Sequence, residues 1–291
     1  MLRVALRVIS ERIYLTVLIM NSAIVYLLRS TPSDVRDIIK SLNSLQLYFL
    51  HKYKYPVIII IENDFDQEFI KQIKRATAVE QLHFHTIVFN IPQKFHNISI
   101  PRYLVTQNGQ QRWPLGYRHM CRFWSGEFLK DTVLSQYDYV WRMDSDAYIT
   151  KEITYDVFTH MVSNSIDYAY SKVCQDDAEV CKGLHQFSKE FFESKGLPFE
   201  WEQYRMFATH VEIFNMKRFM CADYTDFHDA IDDTPGFYLQ RWGDAPIRYI
   251  ALTNFKFNTC KLAIQYFHGN DGSGRREQEE AERATNRPQS D

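Results

Sequence analysis

No two of the five cysteines in this 291-residue chain stand in a C-x-x-C spacing, which removes the usual signature of a cysteine-type zinc site. A strong net charge is missing too: 34 basic side chains against 36 acidic ones give −2. Bulk attraction to a polyanion is therefore absent, and with it the case for a nucleic-acid partner. No uninterrupted apolar run reaches the roughly 20 residues that a helix needs to cross a bilayer. Internal repeats are also absent, which excludes solenoids and propellers.

What is present describes a folded enzyme-sized protein. Hydrophobic residues make up 45% and charged residues 24%, the balance of a globular chain with a real core. Aromatics reach 15%, which suits either a deep core or stacking surfaces for sugars. Arg3, Arg7 and Arg12 precede the apolar run Ile13–Met20, like a charged n-region before a short h-region. Residues 1–22 are thus read as a separate N-terminal segment, either an amphipathic cap or the remnant of an anchor through which the chain meets a membrane. Cys174 and Cys181 flank an acidic loop, Gln175–Val180. They close a disulfide in an oxidising compartment or remain two thiols. Asn97-Ile98-Ser99 is a glycosylation sequon.

Periodicity places strands at Ala23–Leu28, Val57–Ile61 and His83–Val88, with helices at Ser33–Lys52 and Gln67–Thr77 between them. Thr31 or Ser33 is placed to cap the first helix, with Pro32 in its first turn. Strand–helix alternation over ninety residues predicts a parallel, Rossmann-like half of an α/β fold. Further on, Tyr117–Lys130, Tyr155–Ser163, Leu184–Lys195, Phe219–Ile231 and Ala245–Leu252 read as helices. Tyr139–Met143, Tyr168–Ser171 and Phe207–Phe214 read as strands. Residues 269–291 are glycine-rich and then nearly all polar, the composition of a disordered tail.

The chemistry concentrates where Tyr139–Met143 gives out into Asp144-Ser145-Asp146. Ligands of α/β proteins bind at the carboxyl ends of strands. Two carboxylates on one turn there suit a hard divalent cation, which in turn holds a diphosphate. His268 ends another apolar run, where an imidazole completes such a shell; oxygen and nitrogen together suit Mn²⁺ better than Ca²⁺. Glu212 sits between Val211 and Ile213. A carboxylate there is expensive to bury unless paired, so it is either functional or turned outward on an edge strand. Asp244 either caps the helix after it or joins the sugar or metal site.

Taken in order, several strings resemble the fungal α-1,2-mannosyltransferase family of the Golgi, the Kre2/Mnt1-like family. They are Tyr55-Pro56 before Ile61-Glu62-Asn63-Asp64-Phe65, then Tyr117-Arg118-His119-Met120-Cys121-Arg122-Phe123, then Tyr139-Val140-Trp141-Arg142 with the acidic pair. The last is Phe237-Tyr238-Leu239-Gln240-Arg241-Trp242-Gly243-Asp244-Ala245-Pro246. The resemblance covers about residues 23–268. It implies a GT-A-like glycosyltransferase fold with a mixed central sheet, in a type II membrane protein facing the Golgi lumen. It also implies transfer of mannose from GDP-mannose, with retention and Mn²⁺, to a mannose-terminated N- or O-glycan. By position it makes Asp144 and His268 metal ligands, and Asp146, the second acid of the pair, a substrate-binding residue. Asp244 becomes a site acid on the substrate side, Tyr117 a donor-side tyrosine, Arg29 a nucleotide-side arginine and Glu212 the proposed nucleophile, which either attacks the sugar or stabilises it while the acceptor enters from the same face. Two departures stand out. Asp-Ser-Asp replaces the family's Glu-Pro-Asp, and Phe207-Ala208-Thr209-His210-Val211-Glu212 replaces Phe-Trp-Ser-Asn-Phe-Glu, so the acceptor side is expected to differ. Two alternatives remain open: the same fold with another nucleotide sugar, and a glycan-binding descendant without turnover.

Overall fold

The computed structural model describes residues 20–269 except Gln203. The readings of residues 1–19 and of the tail from residue 270 lie outside the described residues. Along the chain run β1 (Ser22–Leu27), α1 (Pro32–Leu45), β2 (Val57–Glu62), α2 (Gln67–Ala76) and β3 (Leu82–Ile87). A hairpin of β4 (Tyr103–Val105) and β5 (Gln111–Pro114) leads into α3 (Leu115–Ser125). Then come β6 (Tyr139–Met143), β7 (Ala147–Ile149), α4 (Val157–Ser163), β8 (Tyr168–Tyr170), β9 (Val173–Gln175) and α5 (Leu184–Ser194). The chain finishes with β10 (Arg205–Phe207), β11 (Val211–Asn215), α6 (Ala222–Asp232), α7 (Asp244–Asn254), β12 (Thr259–Lys261) and β13 (Tyr266–His268).

Seven strands form the main sheet in the order β12-β8-β11-β6-β1-β2-β3. β1 is parallel to β2 and to β6, and β2 to β3. β11 runs antiparallel to both β6 and β8. The sheet is therefore mixed, with one reversed strand near its centre, and the expected parallel half is its β1-β2-β3 side. Side chains of β1 and β2 alternate between two cores: Ala23, Val25, Ile58 and Ile60 face one, and Ile24, Tyr26, Ile59 and Ile61 the other. Such doubly covered strands read as continuous apolar runs. Each of these aliphatic side chains contributes about 1.5–3 kcal/mol by leaving water.

The first helix starts as its sequence predicts. Thr31 accepts from the Asp34 amide at 3.2 Å, and Pro32 occupies the first turn. It does not continue as one α-helix to Lys52, because the last turn, Gln46–Leu50, widens into a π-turn that buries Phe49 and Leu50. The helix expected over Tyr117–Lys130 breaks at Gly126. A Cβ there would lie 2.2 Å from the ring of His228. The strand expected over Phe207–Phe214 is two strands. β10 pairs with β9, while β11 enters the main sheet, so the chain changes partners at Ala208–His210.

Two buried ties set the frame around the sheet's carboxyl edge. Arg118 is fully buried without a carboxylate and donates to the carbonyls of Tyr238, Pro101 and Arg102. It thereby joins α3 to the base of the hairpin and to the one-turn helix Gly236–Leu239. Trp242 donates its indole N–H to the Lys182 carbonyl at 2.8 Å and lies flat against Gly236. A Cβ on Gly236 would meet the indole at 2.1 Å. Gly236→Ala is therefore expected to cost about 1–3 kcal/mol by overpacking and to lower the melting midpoint by several degrees. An unchanged midpoint would show that the indole is free to shift.

Candidate functional site

β6 delivers Arg142 and then Asp144 to the open end of the sheet, and β11 delivers Glu212 beside them, since Arg142 and Glu212 are direct cross-strand partners. β11 is central, between β6 and β8, so Glu212 cannot face solvent; it is 0% exposed. One of its oxygens accepts from Arg142 at 3.0 Å. The other accepts from the Tyr168 hydroxyl and lies 3.1 Å from Arg248. Burial pushes the Glu212 carboxyl up, and the Arg248 and Arg142 guanidiniums oppose that shift.

Arg142 is the hub. Its Nη1 donates to Asp244 at 2.6 Å as well as to Glu212, and its Nη2 donates to Asp144 at 3.2 Å. The face of its guanidinium lies over the Trp124 ring, 4.7 Å from the centroid. Asp244 is the first residue of α7, yet its carboxylate makes no cap bond. The preceding Gly243 is the cap position, and Asp244 turns inward to Arg142. One helical turn on, Arg248 returns towards Asp244 at 3.7 Å. Two arginines thus sit among Asp144, Glu212 and Asp244, which come from the end of β6, from β11 and from α7. Charges so far from water require such pairing.

Asp144, Asp146 and His268 stand together on the outer side of this cluster. One ligand atom from each lies within 4.8 Å of the others. His268 comes from β13, which pairs with β7 and sets His268 opposite Ala147. Its Nε2 is 3.2 Å from Asp146 and 3.7 Å from Asp144. Burial alone would lower the His268 pKa, but the Asp144 and Asp146 carboxylates raise it to about 9. Burial alone would raise that of Asp144, but Arg142, followed by His268, brings it to about 2. Gly269 has no room for a side chain, since a Cβ would meet Asp146 Oδ2 at 2.8 Å. The set is anionic, half open and mixed in oxygen and nitrogen, which fits Mn²⁺.

Tyr117 stands beside Asp244, next to the cluster, and Arg29 lies apart from it. The Tyr117 hydroxyl accepts from Arg241 at 3.1 Å, and Arg241 in turn pairs with Asp176 of the acidic loop at 2.7 Å. Burial and the neighbouring Cys121 push the Tyr117 phenol up. Arg29, just beyond β1, is 73% exposed at its side chain and pairs with Asp34 at 2.9 Å. The structure does not join Arg29 to the acidic cluster.

Several residues here carry no role in the sequence reading. Arg142 has a signal, a charge inside an apolar strand. Arg248 has one as well, four residues after Asp244 on a helix. Arg241 adopts φ +58°, an uncommon conformation for a side-chain-bearing residue. Nothing local marks Tyr168, Asp176 or His210, whose partners come from across the fold.

With this geometry in place, comparison with known proteins is informative. The family model described as glycolipid 2-alpha-mannosyltransferase matches residues 14–271. A probable mannosyltransferase, MNT3, of Candida albicans is 30% identical over 81% of this chain and 65% of its own length. The O-glycoside alpha-1,2-mannosyltransferase omh1 of Schizosaccharomyces pombe is 29% identical over the same shares. The chain thus spans about two thirds of the length of these relatives. The structure of the Saccharomyces cerevisiae mannosyltransferase Ktr4p in complex with GDP superposes with a TM-score of 0.74 at 25% identity, over 86% of this chain and 71% of that one. The Mn/GDP form of core-mannan synthase A from Aspergillus fumigatus shares the fold, with a TM-score of 0.72 at 22% identity over 86% of this chain and 75% of that one. The mixed sheet is therefore the GT-A-like fold that the sequence implied. Because the matched span runs through β1, the Asp144–Asp146 turn and β13 alike, the chain belongs to the glycolipid 2-alpha-mannosyltransferase family.

Proposed function

We propose that this chain is a Mn²⁺-dependent, retaining α-1,2-mannosyltransferase that moves mannose from GDP-mannose to a mannose-terminated glycan. The observation that carries the reading is the convergence of Asp144, Asp146 and His268 at the carboxyl edge of the sheet, beside Asp244 and Arg142. Support comes from relatives named as mannosyltransferases and from one solved with GDP. Asp144, Asp146 and His268 would hold the cation, which when bound offsets the negative charge growing on the departing diphosphate.

The protein's own groups do the rest. Arg29, exposed at the end of β1, is placed to meet the nucleotide. Tyr117, held by Arg241, forms a wall on the sugar side. Asp244, oriented by Arg142, is assigned to the sugar hydroxyls. Glu212 has both oxygens engaged and no exposed surface. An attacking carboxylate needs an oxygen facing the sugar. We therefore assign Glu212 to holding Arg142 and Arg248, and retention to entry of the acceptor on the face that the diphosphate leaves. The compartment that fits this work is the Golgi lumen. In support, Asn97 of the sequon is exposed, as glycosylation in the secretory pathway requires.

His268→Ala and Asp146→Asn are expected to abolish the extra thermal stabilisation that GDP-mannose gives in the presence of Mn²⁺, an effect that follows ligand binding to the native state. Full Mn²⁺-dependent stabilisation in both variants would remove these residues from the cation site. In a panel of nucleotide sugars, GDP-mannose should stabilise most. A larger shift with a uridine nucleotide would reassign the donor. Glu212→Gln breaks a buried pair, at a cost of about 3–5 kcal/mol. It should lower the melting midpoint and weaken Mn²⁺-dependent GDP binding together. Loss of turnover with both of those intact would instead return Glu212 to the role of nucleophile.

A further inference from the structure

The imidazole of a metal-ligating histidine is usually aimed by a hydrogen bond from its other ring nitrogen to a carboxylate, carbonyl or water. His268 has its Nε2 towards Asp144 and Asp146. Its Nδ1 is buried and has no hydrogen-bond partner among the described residues. No protein group among the described residues therefore fixes the plane of this ring through Nδ1. The ring of His210 lies against it face to face, with centroids 3.6 Å apart and planes 7° from parallel. His210 is itself anchored at both ends. Its carbonyl accepts from the Asp144 amide at 2.9 Å. Its Nδ1 lies 3.5 Å from the Tyr266 hydroxyl, which also donates to Ser171 at 2.8 Å. Rings in parallel planes send their nitrogen lone pairs along parallel planes, so His210 does not share a cation with His268.

We propose that His210 is a positioning residue that fixes the ring plane of His268 by stacking, in place of the missing Nδ1 hydrogen bond. The residue lies in the segment where this chain departs from its family, with His210 at the position that the family's Phe-Trp-Ser-Asn-Phe-Glu string gives to asparagine. The departure thus bears on the cation as well as on the acceptor. The proposal rests on the reading of Asp144, Asp146 and His268 as cation ligands.

The test is direct titration of the full chain with Mn²⁺, following the free ion by electron paramagnetic resonance, without donor or acceptor. His210→Ala is expected to bind Mn²⁺ about 10- to 100-fold more weakly, the range for loss of a group that orients a ligand. His210→Phe keeps a flat ring without nitrogens and should stay close to wild type. His210→Leu, which keeps bulk but no flat face, should fall with alanine and serves if the alanine variant does not fold. Wild-type affinity in the variants without a ring overturns the proposal. So does a phenylalanine variant as weak as they are, since the role would then lie in the ring nitrogens. If the wild type and His268→Ala both fail to bind Mn²⁺, the cation reading itself falls. That outcome is distinct from tight wild-type binding with an inert His210.

Discussion

The guanidinium of Arg142 is the interaction on which the site depends. It holds Asp144, Glu212 and Asp244 at 3.2, 3.0 and 2.6 Å, and these acids arrive on the turn after β6, on β11 and on α7. Without a fixed cation among them, three carboxylates in a cleft of low dielectric would repel one another and take up protons. With it, they are held in register. Arg248 shares the load from the far side of Glu212. The cluster works as a keystone between the parallel half of the sheet and its reversed strand.

This arrangement explains why the reversed strand matters. An antiparallel β11 next to a parallel β6 puts Glu212 directly across from Arg142. The same pairing brings the start of β11 to the turn that bears Asp144 and Asp146, where the His210 carbonyl meets the Asp144 amide. β13 performs the matching service from outside the main sheet, by pairing with β7 and carrying His268 to the turn. Three short strands thus close the site. Around them, Trp242, Arg118 and Arg241 tie the hairpin, the acidic loop and α3 into one rim.

Much of this was legible in the chain itself. Five β-branched residues in a row at Val57–Ile61 have no stable place except a strand covered on both faces. Thr31-Pro32 announces the start of α1 through local capping chemistry. Asp144 and Asp146 declare themselves by following an apolar strand. These features depend on neighbours a few residues away, so periodicity and turn chemistry suffice to find them. The family resemblance added Asp244, Glu212, Tyr117 and Arg29 with their implied roles.

What only the tertiary structure decided is which of these residues touch. Glu212 read equally well as an outward carboxylate on an edge strand, and only the strand order, with β11 between β6 and β8, buries it in a closed ion-pair network. Asp244 had every local reason to cap its helix and instead turns inward to Arg142, a charged partner that β6 supplies. The stack of His210 on His268 joins residues 58 positions apart in sequence (268 − 210). No period or motif carries that pairing. By itself the sequence determined the alternating strands and helices of the parallel half and the presence of acids where a strand ends, since these follow from local preference and burial. The partner of each charge was left to the fold, because an ion pair is a statement about distance in space.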